Sequence, residues 1–121
     1  HKADFYTKLF AAGTSCWTPL RAALSKAGRL YAGQLASDPV QFSCQQNFTF
    51  LTTDGYWNTN AETASYGPKK ENGSTNVGDQ DGAALSTDPP YRDALNKADT
   101  LADVAMYYWK TDLRSGMAND V

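Results

Sequence analysis

The chain has 121 residues, with 11 basic against 13 acidic side chains, a formal charge of −2 and a single histidine. That length fits one domain, and the slightly acidic balance excludes the basic footprint of a nucleic-acid or anionic-membrane binder. No apolar run reaches the ~18–20 residues that span a bilayer, while seven Tyr, five Phe and three Trp give a folded domain its core material.

In chain order, His1-Lys2-Ala3-Asp4 lacks the character of a targeting peptide. It leads into a helix over Asp4 to Ala12, where Phe5, Leu9 and Ala12 recur at helical spacing and Gly13 stops the run. A polar connection at 14–17 follows. Thr18-Pro19 then predicts a sharp helix start, with Thr18 as N-cap and Pro19 at the first helical position. Leu20, Ala23, Leu24, Ala27 and Tyr31 share one face of that helix, and Gly33 is its stop. Gln45 to Thr53 reads as a mostly buried strand ended by the turn at Asp54-Gly55. From 58 to 90 the chain turns rich in Asn, Gly, Ser, Thr and Asp, a long polar loop of the kind that is functional or mobile. The last element is a helix opened by a capping box, Thr100 with Asp103. Leu101, Val104, Ala105 and Tyr108 form its apolar stripe, and Ala102, Met106, Tyr107 and Trp109 extend it, predicting cover on more than one side until Arg114-Ser115-Gly116. A strand between helices points to an α/β sandwich with few strands.

His1 being the only histidine, Ser-His-Asp and Cys-His constellations have no base and His-based zinc sites no ligands. Cys16 and Cys44 either form one disulfide, closing a loop of about 28 residues, or remain two thiols. Thr18 and Asp54 sit at element junctions. They are either an N-cap and a turn residue, or a hydroxyl and a carboxylate converging as hard ligands for Mg²⁺ or Ca²⁺. Asp79 and Asp81, before Gly82, resemble positions three and five of an EF-hand loop. Val77 at its first position and Asp88 at its twelfth make it a poor one, so a solvated turn is the other reading. Tyr56 and Trp57 beside Asp54 serve either as an exposed binding anchor or as packing for the long loop. A hydrolase using Asp79, Asp81 or Asp103 has no geometry in the sequence to support it.

The segments TPLRAALSKAGRLYAG, NFTFLTTDGYWN and TLADVAMYYWKTDLR, in that order, resemble the von Willebrand factor A-like region of type IV pilus tip adhesins, the PilC/PilY family. The resemblance runs from Phe5 to Arg114. It implies a non-enzymatic protein, exported through the periplasm to the pilus tip or cell surface. Such proteins aid assembly of, and attachment by, the retractable pili of twitching motility. The implied partners are minor pilins and a host or abiotic surface ligand.

The resemblance also implies a partial von Willebrand A-like sandwich over 1–121, with 58–90 as a loop or insertion. In such domains a metal-ion-dependent adhesion site combines an Asp-x-Ser-x-Ser loop with a Thr and a further Asp, and Thr18 and Asp54 match the last two. No Asp-x-Ser-x-Ser occurs in this chain, so the expected site is incomplete and the first strand is expected upstream of His1. One hydroxyl and one carboxylate replace few of a hard cation's waters, so the chain alone is expected not to bind Mg²⁺ measurably. The family's calcium site belongs to a β-propeller absent from this sequence. Export favours a Cys16–Cys44 bridge, although a regular A domain would place the two at opposite ends of the sheet.

Overall fold

The computed structural model describes residues 1–13, 17–58, 62, 66–81 and 97–117. Within them lie three helices: α1 (Lys2–Ala11), α2 (Leu20–Tyr31) and α3 (Leu101–Lys110). The expected α/β sandwich is not what forms. The described residues contain no strand; Lys69 and Asn76 form an isolated antiparallel bridge. Gln45 to Thr53 takes no ladder partner among the described residues; Tyr31 Oη donates to Phe48 O at 2.9 Å. A strand is defined by its partner, and β-propensity alone does not supply one.

α2 and α3 pack against each other, and the 66–81 segment, expected as a polar loop, closes over them. Val77, Val104 and Tyr107 form the core, with Leu24 and Tyr108 packed against it. The buried residues of α2 are Leu20, Ala22, Ser25 and Gly28; of the stripe read from the sequence, Leu20 is buried, Leu24 packs against the core and Ala23 is exposed. Small residues win there because the neighbours approach closely. A Cβ on Gly28 would lie 2.2 Å from Tyr108 Cδ1. Ser25 Oγ donates to Lys69 O (2.6 Å) and accepts from Lys69 N (3.0 Å), so one hydroxyl satisfies both backbone groups of a buried residue.

The expected helix ends divide into local ones that hold and one replaced by a distant residue. Thr100 and Asp103 form the reciprocal capping box. Gly33, at φ +68°, ends α2 with its N–H on Leu30 O and the Gln34 N–H on Arg29 O, a Schellman arrangement. Thr18, by contrast, does not cap α2. Pro19 occupies the N-cap, and the Ala22 N–H goes to Glu62 Oε1 at 3.1 Å. α3 ends at Lys110, short of Arg114. Asp103, Val104 and Tyr107 are buried and Leu101, Met106 and Tyr108 half-buried, while Ala102, Ala105 and Trp109 are exposed. α1 buries no residue.

Candidate functional site

Two groups of residues bear on function. The first surrounds the start of α2. Thr18 N donates to Asn58 Oδ1 (3.0 Å) and Asn58 N donates to Thr18 O (2.9 Å), so the segment ending in Asn58 is clamped to the entry of α2. Asp54 lies four residues before the clamp at an exposed bend, where Gly55 takes φ +123° and donates its N–H to Thr53 Oγ1 at 3.2 Å. Tyr56 is 94% exposed and Trp57 41%, so both present their rings outward and neither packs the loop down. Trp17, on the other side of the clamp, is exposed as well. The clamp therefore holds Thr18, Tyr56 and Trp57 on one local framework, with exposed Asp54 next along the chain.

Beneath that framework, Glu62 organises the helix start. Its carboxylate takes Arg21 Nε at 2.8 Å and the Ala22 N–H, and it pairs with Arg21 Nη2. Arg21 Nη1 donates to Asp99 O at 2.7 Å. Asp99, at φ +62°, in turn accepts from Gly78 N and Asn76 Nδ2, both at 2.8 Å. The result is a continuous polar network from α2 through 76–78 to the start of α3. Sequence reasoning missed Glu62 and Asp99. A positive φ at an Asp immediately before a capping box is the sort of feature a turn reading can find.

The second group is acidic. Asp79, Asp81 and Asp103 bring one carboxylate oxygen each to within 4.8 Å of one another. The structure thus adds Asp103, from α3, to the pair read as EF-hand-like. Hard oxygen donors of this kind suit Ca²⁺ or Mg²⁺. Two of these carboxylates also accept hydrogen bonds within the protein. Asp103 Oδ1 accepts from Gln80 N at 2.7 Å, and Oδ2 accepts from Thr100 N and Thr100 Oγ1 at 2.8 and 2.9 Å. Asp79 Oδ1 accepts from Asp81 N at 3.1 Å. Asp103 thus takes three donors from within the protein, one from Gln80 and two from Thr100.

Of the expected bridge, Cys44 is an exposed free thiol, and Cys16 lies outside the described residues. The 38–47 stretch is tied by its own turns. Val40 N donates to Asp38 Oδ1 (2.9 Å), and Gln45 Nε2 donates to Pro39 O (2.8 Å). Arg114 pairs with Asp38 and donates from Nε to Tyr31 O at 2.7 Å. The guanidinium beside Asp38, with the Val40 N–H, holds that carboxyl below the usual range. Tyr107 is pushed up to about 12 by burial first and then by its hydrogen bond to Glu71.

No family model matches the chain, and no solved structure matches it. Curated proteins do. The chain is 34% identical over 130 aligned positions to type IV pilus biogenesis factor PilY1 of Pseudomonas aeruginosa strain UCBPP-PA14, and 32% identical over 131 to PilY1 of strain PAK. The chain is thus similar to one stretch of PilY1, a type IV pilus biogenesis factor. The match takes in the whole chain but only 10% and 11% of those two relatives, so the chain spans about a tenth of their length. Identity over the full chain means that the middle segment, the least distinctive by motif, is aligned along with the three motifs. No helix among the described residues is long and apolar enough to cross a membrane.

Proposed function

We propose that this chain is a non-enzymatic assembly and adhesion module of a type IV pilus tip protein, exported through the periplasm and displayed at the pilus tip or cell surface. The observation that supports it is the match of the entire chain to a segment of a type IV pilus biogenesis factor. Minor pilins of the tip complex, and a host or abiotic surface, are the partners this role requires. Tyr56 and Trp57, exposed beside the Thr18–Asn58 clamp, are the contact residues. Exposed aromatics on a hydrogen-bonded framework lose little conformational freedom on binding, which is why they recur as interface anchors.

Thr18 and Asp54 contribute a hydroxyl and a carboxylate toward a Mg²⁺ or Ca²⁺ whose other protein ligands come from elsewhere in a longer polypeptide. Two ligands alone leave the cation mostly hydrated, so titrating the 121-residue chain with Mg²⁺ by calorimetry gives no micromolar binding. The decisive experiment is Asp54→Ala in the full-length protein, scored for pilus assembly and for surface attachment separately. Lost attachment with normal assembly is the expected result. An unchanged phenotype on both counts would instead favour a scaffold that docks on minor pilins without a working metal site.

A further inference from the structure

Every arginine and lysine of a slightly acidic protein has carboxylates to choose from, and here two choose conspicuously: Arg21 pairs with Glu62, and Arg114 with Asp38. Lys26, Arg29 and Lys69 do not. Among the described residues none of the three has a carboxylate within ion-pair distance, and all three line one cavity of about 220 Å³ with Ser25 and Tyr66. Lys69 is buried, and its Nζ is held by two neutral oxygens, Ser74 O at 3.2 Å and Asn76 Oδ1 at 2.6 Å. Arg29 Nε is sealed from solvent with no hydrogen-bond partner. The guanidinium lies against Gly73, whose φ of +71° and missing Cβ let it approach; a Cβ there would stand 2.5 Å from Nη2. Glu71, the acid near Tyr108, gives its carboxylate to the Tyr107 hydroxyl.

Positive charge gathered at a partly enclosed cavity without a counter-charge is unfavourable unless an anion enters. The charged residues lining it are all cationic, with the Lys69 ammonium turned to Ser74 O and Asn76 Oδ1, and Tyr66 adds a hydroxyl able to donate. The cavity is smaller than the ~300–1,000 Å³ typical of sites for drug-sized ligands. It suits a single tetrahedral or planar oxyanion, which Arg and Lys recognise together by hydrogen bonds and charge. We propose that the Lys26–Arg29–Lys69 cavity binds an oxyanion, a phosphate or a carboxylate group. This assignment is independent of the cation reading of Thr18 and Asp54, which lie on the entry to α2 and not on this face.

The test titrates the 121-residue chain with sodium phosphate and, separately, with sodium acetate, against sodium chloride at matched ionic strength. The Arg29 Nε–H and backbone resonances of α2 are followed by NMR. A saturable shift with phosphate or with acetate, absent with chloride, is expected, and whichever anion saturates names the source of the group. Lys26→Gln, at an exposed position, should keep the fold and weaken binding by about 3- to 5-fold. Lys26→Gln with Arg29→Gln should abolish it. A response no different from chloride for both anions, or wild-type affinity in Lys26→Gln, would overturn the assignment.

Discussion

Between residues 66 and 81 the chain has one aliphatic side chain, Val77, and buries it to 1% exposure; between 42 and 57 it has Phe42, Phe48, Phe50, Leu51, Tyr56 and Trp57, and leaves all six exposed. Hydropathy alone would reverse these assignments. The difference lies in where the backbone hydrogen bonds go. In 66–81, Asn72 Oδ1 accepts from Ser74 N and Thr75 N, Val77 N reaches Pro68 O, and Ser25 and Tyr108 hydroxyls both reach Lys69 O. A segment whose polar groups are satisfied can be buried at little penalty. The 46–57 backbone has no ladder partner among the described residues and would need one for its polar groups to be buried. Without one it stays in water and its rings stay with it. Burial in this molecule follows hydrogen-bond satisfaction first and side-chain hydrophobicity second.

If that comparison is right, the packed half should break at its polar joints as readily as in its core. Glu62→Ala carries the largest expected effect. Its carboxylate is almost fully buried, satisfies the Ala22 N–H and is bonded to Arg21, so removal leaves a helix-start donor and a part-buried guanidinium unpaired. The expected loss is about 3 kcal/mol, read as a lower urea midpoint at unchanged slope. Glu62→Gln retains an acceptor for Ala22 and should lose clearly less. Equal losses in the two variants would mean that charge, and not the cap, is what matters.

Gly28→Ala comes next. Alanine normally favours a helix over glycine by ~1 kcal/mol, but here the added methyl meets Tyr108, whose hydroxyl is anchored to Lys69 O at 2.6 Å. The ring must move and the anchor loosens, for a net destabilisation of about 1–2 kcal/mol. A stabilising result would show that α2 and α3 are held less closely than the contact implies.

What was legible in the sequence follows the same division. Gly33 and the Thr100–Asp103 box are local devices, complete within a few residues, and they form as read. The Gln45–Thr53 strand was not legible because its Phe and Thr content reports suitability for a sheet, while the sheet itself depends on a partner. Glu62 was invisible for a related reason: its hydrogen-bond partner Arg21 is 41 positions away, and one Glu in a polar stretch carries no sign of it. The Asp79–Asp81 pair stood out by spacing. Asp103 reads as a cap, and as a carboxylate beside Asp79 and Asp81 only without geometry; the carboxylate that caps α3 also takes the Gln80 N–H and closes the acidic group. Tyr56 and Trp57 beside Asp54 read either as a surface anchor or as packing, and the structure leaves both rings exposed.

A pH experiment sharpens the comparison from the packed side. The Tyr107 hydroxyl ionises at about 10 when unfolded and is pushed up to about 12 when folded, by burial and by Glu71. A raised value means that folding favours the protonated form. The contribution is therefore fully present below pH 10 and is lost as pH climbs toward 12. Tyr107→Phe should remove that alkaline slope. Tyrosinate absorbance that develops in the native protein as it does in an exposed tyrosine would contradict the burial of this ring.

The smallest expected stability effects lie in the exposed half, where they matter most to the comparison. Phe50 is 91% exposed and Tyr56 94%, so Phe50→Ser and Tyr56→Ser should each change unfolding free energy by no more than ~0.5 kcal/mol. Trp57→Ser, at a less exposed ring next to the Asn58 clamp, should stay close to that limit. A loss of ~2 kcal/mol at Phe50 or Tyr56 would mean that the segment packs, and the contrast between the two halves would fail. Neutral stability together with weaker surface attachment by the full-length protein carrying Tyr56→Ser and Trp57→Ser would separate the two roles physically. The 66–81 segment would then hold the fold through hydrogen bonds, and the 42–57 segment would keep its apolar rings in water because a partner, not the core, is what they contact.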